Sequence, residues 1–313
     1  MKILDIAILT ALIGALAVGA YAMWISFPFG EEEYGRYSTD LANNGAFDDA
    51  TFSSGMQFYP NMRFSDRNIS YRLESACTPE KWESIKNAFA ILESRTILRF
   101  YLSDDASGIN VLCSEVHEEK AEREGYFVAG EGGPTEAINM STFTVISAGK
   151  ISLYKDEQCK SPQVAIHEIL HALGFGHINK TESIMYPITS CKQEIDAEII
   201  NEINRLYKAD SLPDLLIESI NASRKGRYLN FDAWTANLGL KQSGEADMIV
   251  YADGSKIDEF ELGNLEIGMK KRLSVENLKV PSGAAKILFS VATRNNEAEL
   301  DMNNNRAEIM LAG

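Results

Sequence analysis

The first regular pattern of hydrophobic and polar positions occupies residues 63–154. Residues 68–74 alternate apolar and polar side chains, which predicts a half-buried strand. Thr78 followed by Pro79 predicts the start of an amphipathic helix, with Thr78 as its N-cap. Further strands are predicted at residues 97–102, 109–113, 142–147 and 150–154. This mixture of strands and helices indicates an α+β domain.

A second pattern fills the C-terminal third of the chain. After Pro213, short alternating segments are separated by turn residues such as Asp253-Gly254. The predicted strands are residues 216–220, 228–235, 248–251, 257–262, 271–275, 287–292 and 307–311. About seven strands in a hundred residues are typical of a β-sandwich. Two folded domains are therefore expected, as the length of 313 residues also suggests.

The N-terminal segment, residues 6–29, contains no charged side chain. As a helix its 24 residues would span about 36 Å, enough for a hydrocarbon core of about 30 Å. Lys2 precedes the segment and Glu31-Glu32-Glu33 follow it, which predicts a transmembrane anchor with a cytoplasmic N-terminus and an exported remainder. A signal peptide cleaved near Ala22, giving a secreted protein, is the alternative. The apolar run continues past that position, which favours the anchor.

Composition narrows the class of protein. The formal net charge of −15 argues against a nucleic-acid partner, which would require a basic face. The four cysteines are an even number, as expected for disulfides in an exported protein, and by themselves leave three pairings open. Residues 30–61 are polar and rich in Gly, Asp, Asn and Ser, which predicts a stalk between the anchor and the first domain.

The segment 164–177 concentrates the candidate chemistry. His167 and His171 are four residues apart, so a helix places both on one face, where they can bind one metal ion. Gly174 stands where a helix usually ends in a left-handed residue, and that break allows His177 to reach the same ion. Glu168 lies beside the metal but off the ligand face.

Three neutral imidazoles with one open position are typical of a catalytic zinc site. Glu168 is therefore predicted to act as a general base rather than as a ligand. The alternative is that these histidines are only hydrogen-bonded core residues. That alternative would not explain why three of the four histidines fall within eleven positions. The pattern predicts one catalytic Zn²⁺ bound by His167, His171 and His177.

A second motif, Ser183-Ile184-Met185-Tyr186-Pro187, follows shortly after. Together the two motifs resemble the metzincin metallopeptidases, and among them most resemble the matrixins, although Ile178 stands where matrixins usually carry Ser. The resemblance implies a Met-turn in which Met185 forms a hydrophobic floor under the imidazoles. It also implies a substrate pocket shaped by the residues that follow, among them Tyr186, Pro187 and Ile188.

The resemblance also implies the fold of residues 62–210. A metzincin catalytic domain has a twisted, mixed, five-stranded sheet with a zinc helix, and a closing helix is expected at residues 195–206. Because the family sheet places the first and third strands side by side, Cys77 is expected to pair with Cys113. Cys159 and Cys191 flank the zinc helix and the Met-turn, so they form the second expected disulfide, and four free thiols are the alternative. Each bridge would stabilise the fold by about 3 kcal/mol.

Other features of the matrixins are missing or open in this chain. Only His117 remains outside the trio, so the second, structural zinc of that family is not expected. No cysteine precedes Cys77, so latency through an upstream thiolate is not expected, and a carboxylate such as Asp40 could cap the metal instead. Carboxylates at residues 131–136 or 156–157 leave Ca²⁺ sites possible.

Residues 213–313 resemble the CARDB family, whose fold is immunoglobulin-like. The resemblance depends on Pro213-Asp214-Leu215, the Tyr251–Gly254 turn and residues 299–305. It implies an all-β domain without catalytic residues that contacts other cell-surface proteins.

These observations predict a membrane-anchored, extracytoplasmic zinc endopeptidase acting on protein or peptide substrates. One alternative is an adhesion or binding protein whose metzincin domain is a vestigial scaffold. Another is a zinc enzyme that cleaves a different amide. The presence of Glu168 argues against the vestigial scaffold, because a protein without activity would not require the base.

Overall fold

The computed structural model describes residues 29–37, 55–73, 77–104, 108–113, 128–156 and 158–311. These residues belong to two compact units. The first is residues 37–212, and the second combines residues 213–311 with the strand at 29–36.

A six-stranded sheet forms the centre of the first unit. Its strands are β2 (Met62–Phe64), β3 (Asn68–Leu73), β4 (Arg99–Leu102), β5 (Gly108–Cys113), β6 (Gly130–Asn139) and β7 (Thr144–Leu153). Five strands follow the order β2-β7-β5-β3-β4 with parallel pairing, and β6 pairs antiparallel with β7. The five-stranded sheet expected from the sequence is therefore corrected to six strands.

The additional strands explain the difference. No strand was predicted between residues 113 and 142, yet residues 130–139 pair along the whole of β7; Gly132-Gly133-Pro134 interrupts any alternation there. Residues 142–154 were expected to form two strands separated at Gly149, but Gly149 lies inside the single strand β7. The three residues of β2 are too few to produce a recognisable pattern.

Three helices pack with this sheet. α1 (Pro79–Arg95) begins at Thr78, whose side chain accepts a hydrogen bond from the Lys81 amide at 3.3 Å, as predicted. Its buried face includes Ile85, Phe89 and Leu92. α2 (Gln163–Ala172) is the predicted metal-binding helix, and α3 (Ala197–Leu206) is the expected closing helix. One hydrophobic core joins the helices to the sheet.

Both expected disulfides are present. Cys77–Cys113 joins the residue preceding the α1 N-cap to the end of β5, and Cys159–Cys191 joins the segments before α2 and before α3. They close chain segments of 36 and 32 residues. Fixing these segments in the unfolded chain as well as the folded one stabilises the domain.

The second unit is a sandwich of two four-stranded sheets. Its own strands are β8 (Leu215–Lys225), β9 (Tyr228–Asn237), β10 (Ala246–Ala252), β11 (Ser255–Gly263), β12 (Met269–Lys279), β13 (Lys286–Thr293) and β14 (Arg306–Met310). Every strand predicted in this part of the sequence is found. The sheets have the orders β1-β12-β9-β8 and β11-β10-β13-β14 around one apolar core.

The eighth strand of the sandwich, β1 (Phe29–Arg36), comes from the other end of the chain. It pairs antiparallel with β12, from Phe29 opposite Glu276 to Arg36 opposite Met269. Residues 30–61 were expected to form a stalk, because they are polar, rich in Gly, Asp, Asn and Ser, and lack strong periodicity. An edge strand does not need such periodicity, since backbone pairing and ion pairs such as Glu33–Arg272 at 3.1 Å hold it. In the sequence, the first unit is thus inserted between two strands of the second.

The predicted membrane anchor cannot be compared with the structure. Residues 6–28 lie outside the described residues, and Phe29 begins β1. Among the helices that are described, none is long and apolar enough to cross a membrane.

Candidate active site

Helix α2 carries the candidate metal ligands and is buried along almost its whole length. It begins at Gln163, with Pro162 at the N-cap and no side-chain cap. The buried Gln163 side chain instead donates to the Gln193 carbonyl at 3.0 Å. The helix ends at Ala172, and Gly174 follows with φ +94°, the left-handed conformation that its position predicted.

The turn after α2 brings the third histidine to the first two. The three Nε2 atoms lie 2.9 Å apart for His167–His171 and 3.2 Å apart for each pair with His177. All three side chains are buried. Among the described residues, this trio is the one group of His, Cys, Asp and Glu side chains with metal-ligand geometry.

Hydrogen bonds select the tautomer of two of these rings. His167 Nδ1 donates to the Ile184 carbonyl at 2.6 Å, and His171 Nδ1 donates to the Phe175 carbonyl at 2.8 Å. A proton on Nδ1 leaves the Nε2 lone pair of each ring directed at the shared centre. Burial lowers the pKa of His167 to about 4 and the pKa of His171 well below its usual range, so both rings are neutral.

The residues present fit a zinc ion. Three nitrogens bound to one Zn²⁺ at 2.0–2.1 Å and tetrahedral angles would be about 3.4 Å apart, close to the separations in this trio. Neutral imidazoles are preferred zinc ligands, and with three of them one coordination position stays open for water or substrate. His167, His171 and His177 would hold the ion.

Glu168 is enclosed by the edge strand β6. The side chain is buried, and two glycines of β6 pass very close to it. A Cβ at Gly130 would lie 2.8 Å from Glu168 Cγ and 2.9 Å from Oε1, while a Cβ at Gly132 would lie 2.3 Å from the Glu168 backbone oxygen. The two glycines therefore permit β6 to pack directly on the helix.

Tyr154 lies in the same electrostatic environment. Its hydroxyl donates to Glu131 Oε2 at 2.8 Å. Burial raises the pKa of Tyr154 to about 12, and the hydrogen bond to Glu131 and the charge of Glu168 act in the same direction. The tyrosine therefore stays protonated at neutral pH.

The segment from Ser183 to Met185 is buried, and its Ile184 carbonyl accepts the hydrogen bond from His167 Nδ1. Met185 is fully buried, and the Ile178 amide donates to its carbonyl at 2.9 Å. The Met185 amide donates to Ser183 Oγ at 3.0 Å, and that hydroxyl in turn donates to Asp196. Lys180 Nζ also donates to Asp196, at 2.8 Å. The sequence analysis missed Asp196, since a lone Asp before a helix normally indicates an N-cap.

The residues expected to shape a substrate pocket follow this turn. Tyr186 is half-buried, whereas Pro187 and Ile188 are exposed, Ile188 to 41%. Behind them the Gln193 side chain donates to the Ile188 carbonyl at 2.9 Å and accepts from the Ser190 amide at 2.8 Å. With the Cys159–Cys191 disulfide, these bonds fasten the loop to the region around the start of α2. Gln193 gave no signal in the sequence.

The fold and the three-histidine centre define the class of the first unit as a zinc metallopeptidase domain. Comparison with protein families agrees and is more specific: residues 63–208 match the Matrixin family model, and residues 212–309 match CARDB. The chain thus contains one segment similar to the matrixins and one similar to the CARDB family. No curated protein matches it.

Solved structures resemble each half of the chain. The hatching-enzyme zinc protease high choriolytic enzyme 1 of Oryzias latipes is 16% identical, with a TM-score of 0.34, and the match covers 50% of this chain and 99% of that one. A CARDB domain from Pyrococcus furiosus, solved in complex with di-metal ions, is 22% identical, with a TM-score of 0.28. That match covers 32% of this chain and 88% of the other. A domain of a putative cell surface protein from Methanosarcina acetivorans is 19% identical, with a TM-score of 0.27, and covers 32% and 90% respectively.

Proposed function

We propose that this protein is a zinc-dependent endopeptidase that hydrolyses peptide bonds with Glu168 as general base. The observation that carries the proposal is the trio of buried imidazoles, whose Nε2 atoms lie 2.9–3.2 Å apart, with the buried Glu168 next to His167 in the chain. Bound zinc would polarise the scissile carbonyl and acidify a water molecule. The matrixin match to residues 63–208 supports peptide bonds as the substrate.

The chain's own groups have distinct roles in this proposal. Glu168 accepts a proton from the attacking water and returns one to the leaving amine. Met185 supports the imidazoles from below, and the loop at Tyr186, Pro187 and Ile188 receives the substrate side chain that follows the cleaved bond. A peptide lying along β6 would pass Glu168, because Gly130 and Gly132 bring that strand against it.

Replacing Glu168 with Gln tests the role of the base. Glu168→Gln keeps the side-chain volume but removes the proton acceptor, so kcat/KM on a quenched-fluorescence peptide should fall at least about 100-fold. Zinc content measured by atomic absorption should stay unchanged. The matched control is Glu182→Gln, an exposed glutamate close to the histidine trio in sequence, which should retain activity. Comparable rates for Glu168→Gln and the unaltered chain would refute the assignment.

Digestion of a random peptide mixture separates the competing functions. An endopeptidase produces internal cuts that a zinc chelator abolishes. A protein that binds zinc but produces no such cuts would be a surface-binding protein with a vestigial scaffold, or an enzyme for another amide.

We further propose that residues 6–28 anchor the protein in a membrane with the N-terminus in the cytoplasm and both domains outside, since Phe29 already belongs to β1. Support comes from the length and apolarity of this segment and from Lys2 before it. The CARDB domain would then contact other surface proteins. External protease should degrade both domains on intact cells, and carbonate washing should leave the chain in the membrane. Release into the medium with an N-terminus near Ala22 would instead indicate cleavage.

A further inference from the structure

A short stretch upstream of the matrixin match lies directly on the zinc-ligand turn. We call residues 56–58 the strap. The Phe58 amide donates to the Gly174 carbonyl at 2.9 Å, and the Gly176 amide donates to the Met56 carbonyl at 3.0 Å. Between these two bonds, Gln57 forms an antiparallel bridge with Phe175. The strap therefore pairs with the turn that carries the chain from His171 to His177.

The strap also contacts a metal ligand through its aromatic side chain. The rings of Phe58 and His171 are stacked, with centroids 5.9 Å apart and planes inclined by 18°. A second constraint on the His171 ring is the bond from Nδ1 to the Phe175 carbonyl at 2.8 Å, and Phe175 is the residue paired with Gln57. The strap thus holds both the face of the imidazole and the carbonyl that orients it.

The strap is itself fixed to the sheet. Gln57 Nε2 donates to the Met62 carbonyl at 2.6 Å, and the Met62 amide donates to Gln57 Oε1 at 3.1 Å. Met62 in turn packs on Gly174, where an added Cβ would lie 2.8 Å from Met62 Cγ. Residues 55–61, which the sequence analysis placed in the stalk, therefore belong to the first unit and are tied to its active-site turn.

We propose that Phe58 is a positioning residue for the zinc ligand His171, an inference that rests on the proposed zinc site. Stacking restricts rotation of the imidazole about its Cβ–Cγ bond, so Nε2 stays directed at the centre before the ion binds. Groups that orient a metal ligand typically contribute about 10–100-fold to metal affinity.

The test is zinc affinity of the full chain, measured by competition with a chromophoric chelator. Phe58→Ala should bind zinc about tenfold more weakly. Phe58→Tyr keeps the ring and should restore the affinity. Phe100→Ala is the matched control, because Phe100 is a half-buried aromatic that packs on Phe89 in the same core. It should leave zinc affinity unchanged.

Several outcomes would overturn the inference. Unaltered zinc affinity in Phe58→Ala would do so, and so would equal weakening in Phe58→Ala and Phe100→Ala, because the effect would then be general destabilisation. If Phe58→Ala fails to fold, as judged by circular dichroism, Phe58→Leu serves instead. It retains apolar volume without a ring, and affinity equal to that of the unaltered chain would again overturn the proposal.

Zinc affinity and peptide cleavage, measured on the same samples, separate this inference from the proposed function. An unaltered chain that binds zinc but cuts no peptide would refute the endopeptidase, while a Phe58→Ala defect in zinc affinity would still support the positioning role. An active unaltered chain with an undiminished Phe58→Ala variant would refute the positioning role alone. An unaltered chain that binds no zinc would refute both.

Discussion

Two glycines of β6 make different contacts with the same glutamate, and this difference yields a quantitative prediction. A Cβ at Gly130 would meet the Glu168 side chain at 2.8 Å, whereas ordinary contacts begin at about 3.4 Å. Gly130→Ala must therefore displace the Glu168 carboxylate by about 0.6 Å. A side chain can yield in this way. At Gly132 the added Cβ would meet the helix backbone at 2.3 Å, and a buried helix cannot yield by the required 1 Å or so without separating from the sheet.

The two substitutions should therefore affect different properties. Misplacing a catalytic group by about 1 Å can cost about 100-fold in rate, so a displacement of about 0.6 Å should lower kcat/KM about tenfold in Gly130→Ala. Its zinc affinity should change little, and its Tm should fall less than that of Gly132→Ala, because its one backbone contact, with the Ser152 oxygen at 3.0 Å, is looser than the 2.3 Å contact at Gly132. Gly132→Ala should instead lower the free energy of unfolding by about 2 kcal/mol, which is about 5 °C in Tm for a domain of this size.

Three assays on the same samples test these predictions: peptide hydrolysis gives kcat/KM, competition with a chelator gives zinc affinity, and thermal unfolding gives Tm. Gly55→Ala is the matched control, because an added Cβ there meets nothing within 4 Å. Full activity in Gly130→Ala would show that β6 does not constrain the carboxylate. Equal losses of Tm in Gly130→Ala and Gly132→Ala would show that side-chain and backbone contacts were wrongly distinguished.

Two further predictions concern stability. Because burial lowers the pKa of His167 from 6.5 to about 4, this group stabilises the metal-free fold fully above pH 6.5. That contribution, about 3 kcal/mol, should be lost as the pH falls towards 4, and a metal-free Tm that stays constant over this range would contradict it. Asp196→Asn removes the charge that accepts from Lys180 and Ser183, so unfolding free energy should fall by about 2 kcal/mol relative to the exposed-residue control Glu194→Gln. Equal denaturation midpoints for these two variants would refute a structural role for Asp196.

The features of the candidate site that depend on local backbone geometry were predictable from the sequence. His167 and His171 share a helix face because of the 3.6-residue period, and Gly174 adopts φ +94° because a Cβ is disfavoured there. Met185 and the two disulfides followed from resemblance to a family rather than from spacing. The strands of the sandwich followed from alternation and turn residues.

Other features depend on contacts between residues distant in the sequence. Asp196, Gln193 and Phe58 act through partners that the fold brings together, and none belongs to a local motif. β6 was not predicted because its glycines give no strand pattern in the sequence. Those glycines permit the close approach to Glu168, which becomes apparent only when the helix and the strand are packed together. β1 escaped because its partner β12 lies more than 200 residues later in the chain.

The sequence by itself indicated the histidine trio and the order of most elements, because these follow from short-range periodicity and residue chemistry, while the class of each domain followed from resemblance to known families. Only the tertiary structure decided which backbone pairs with an edge strand, which glycines face Glu168 and which side chains hold the turn between His171 and His177. Such choices depend on packing between surfaces that many residues of chain separate, and no single segment encodes them.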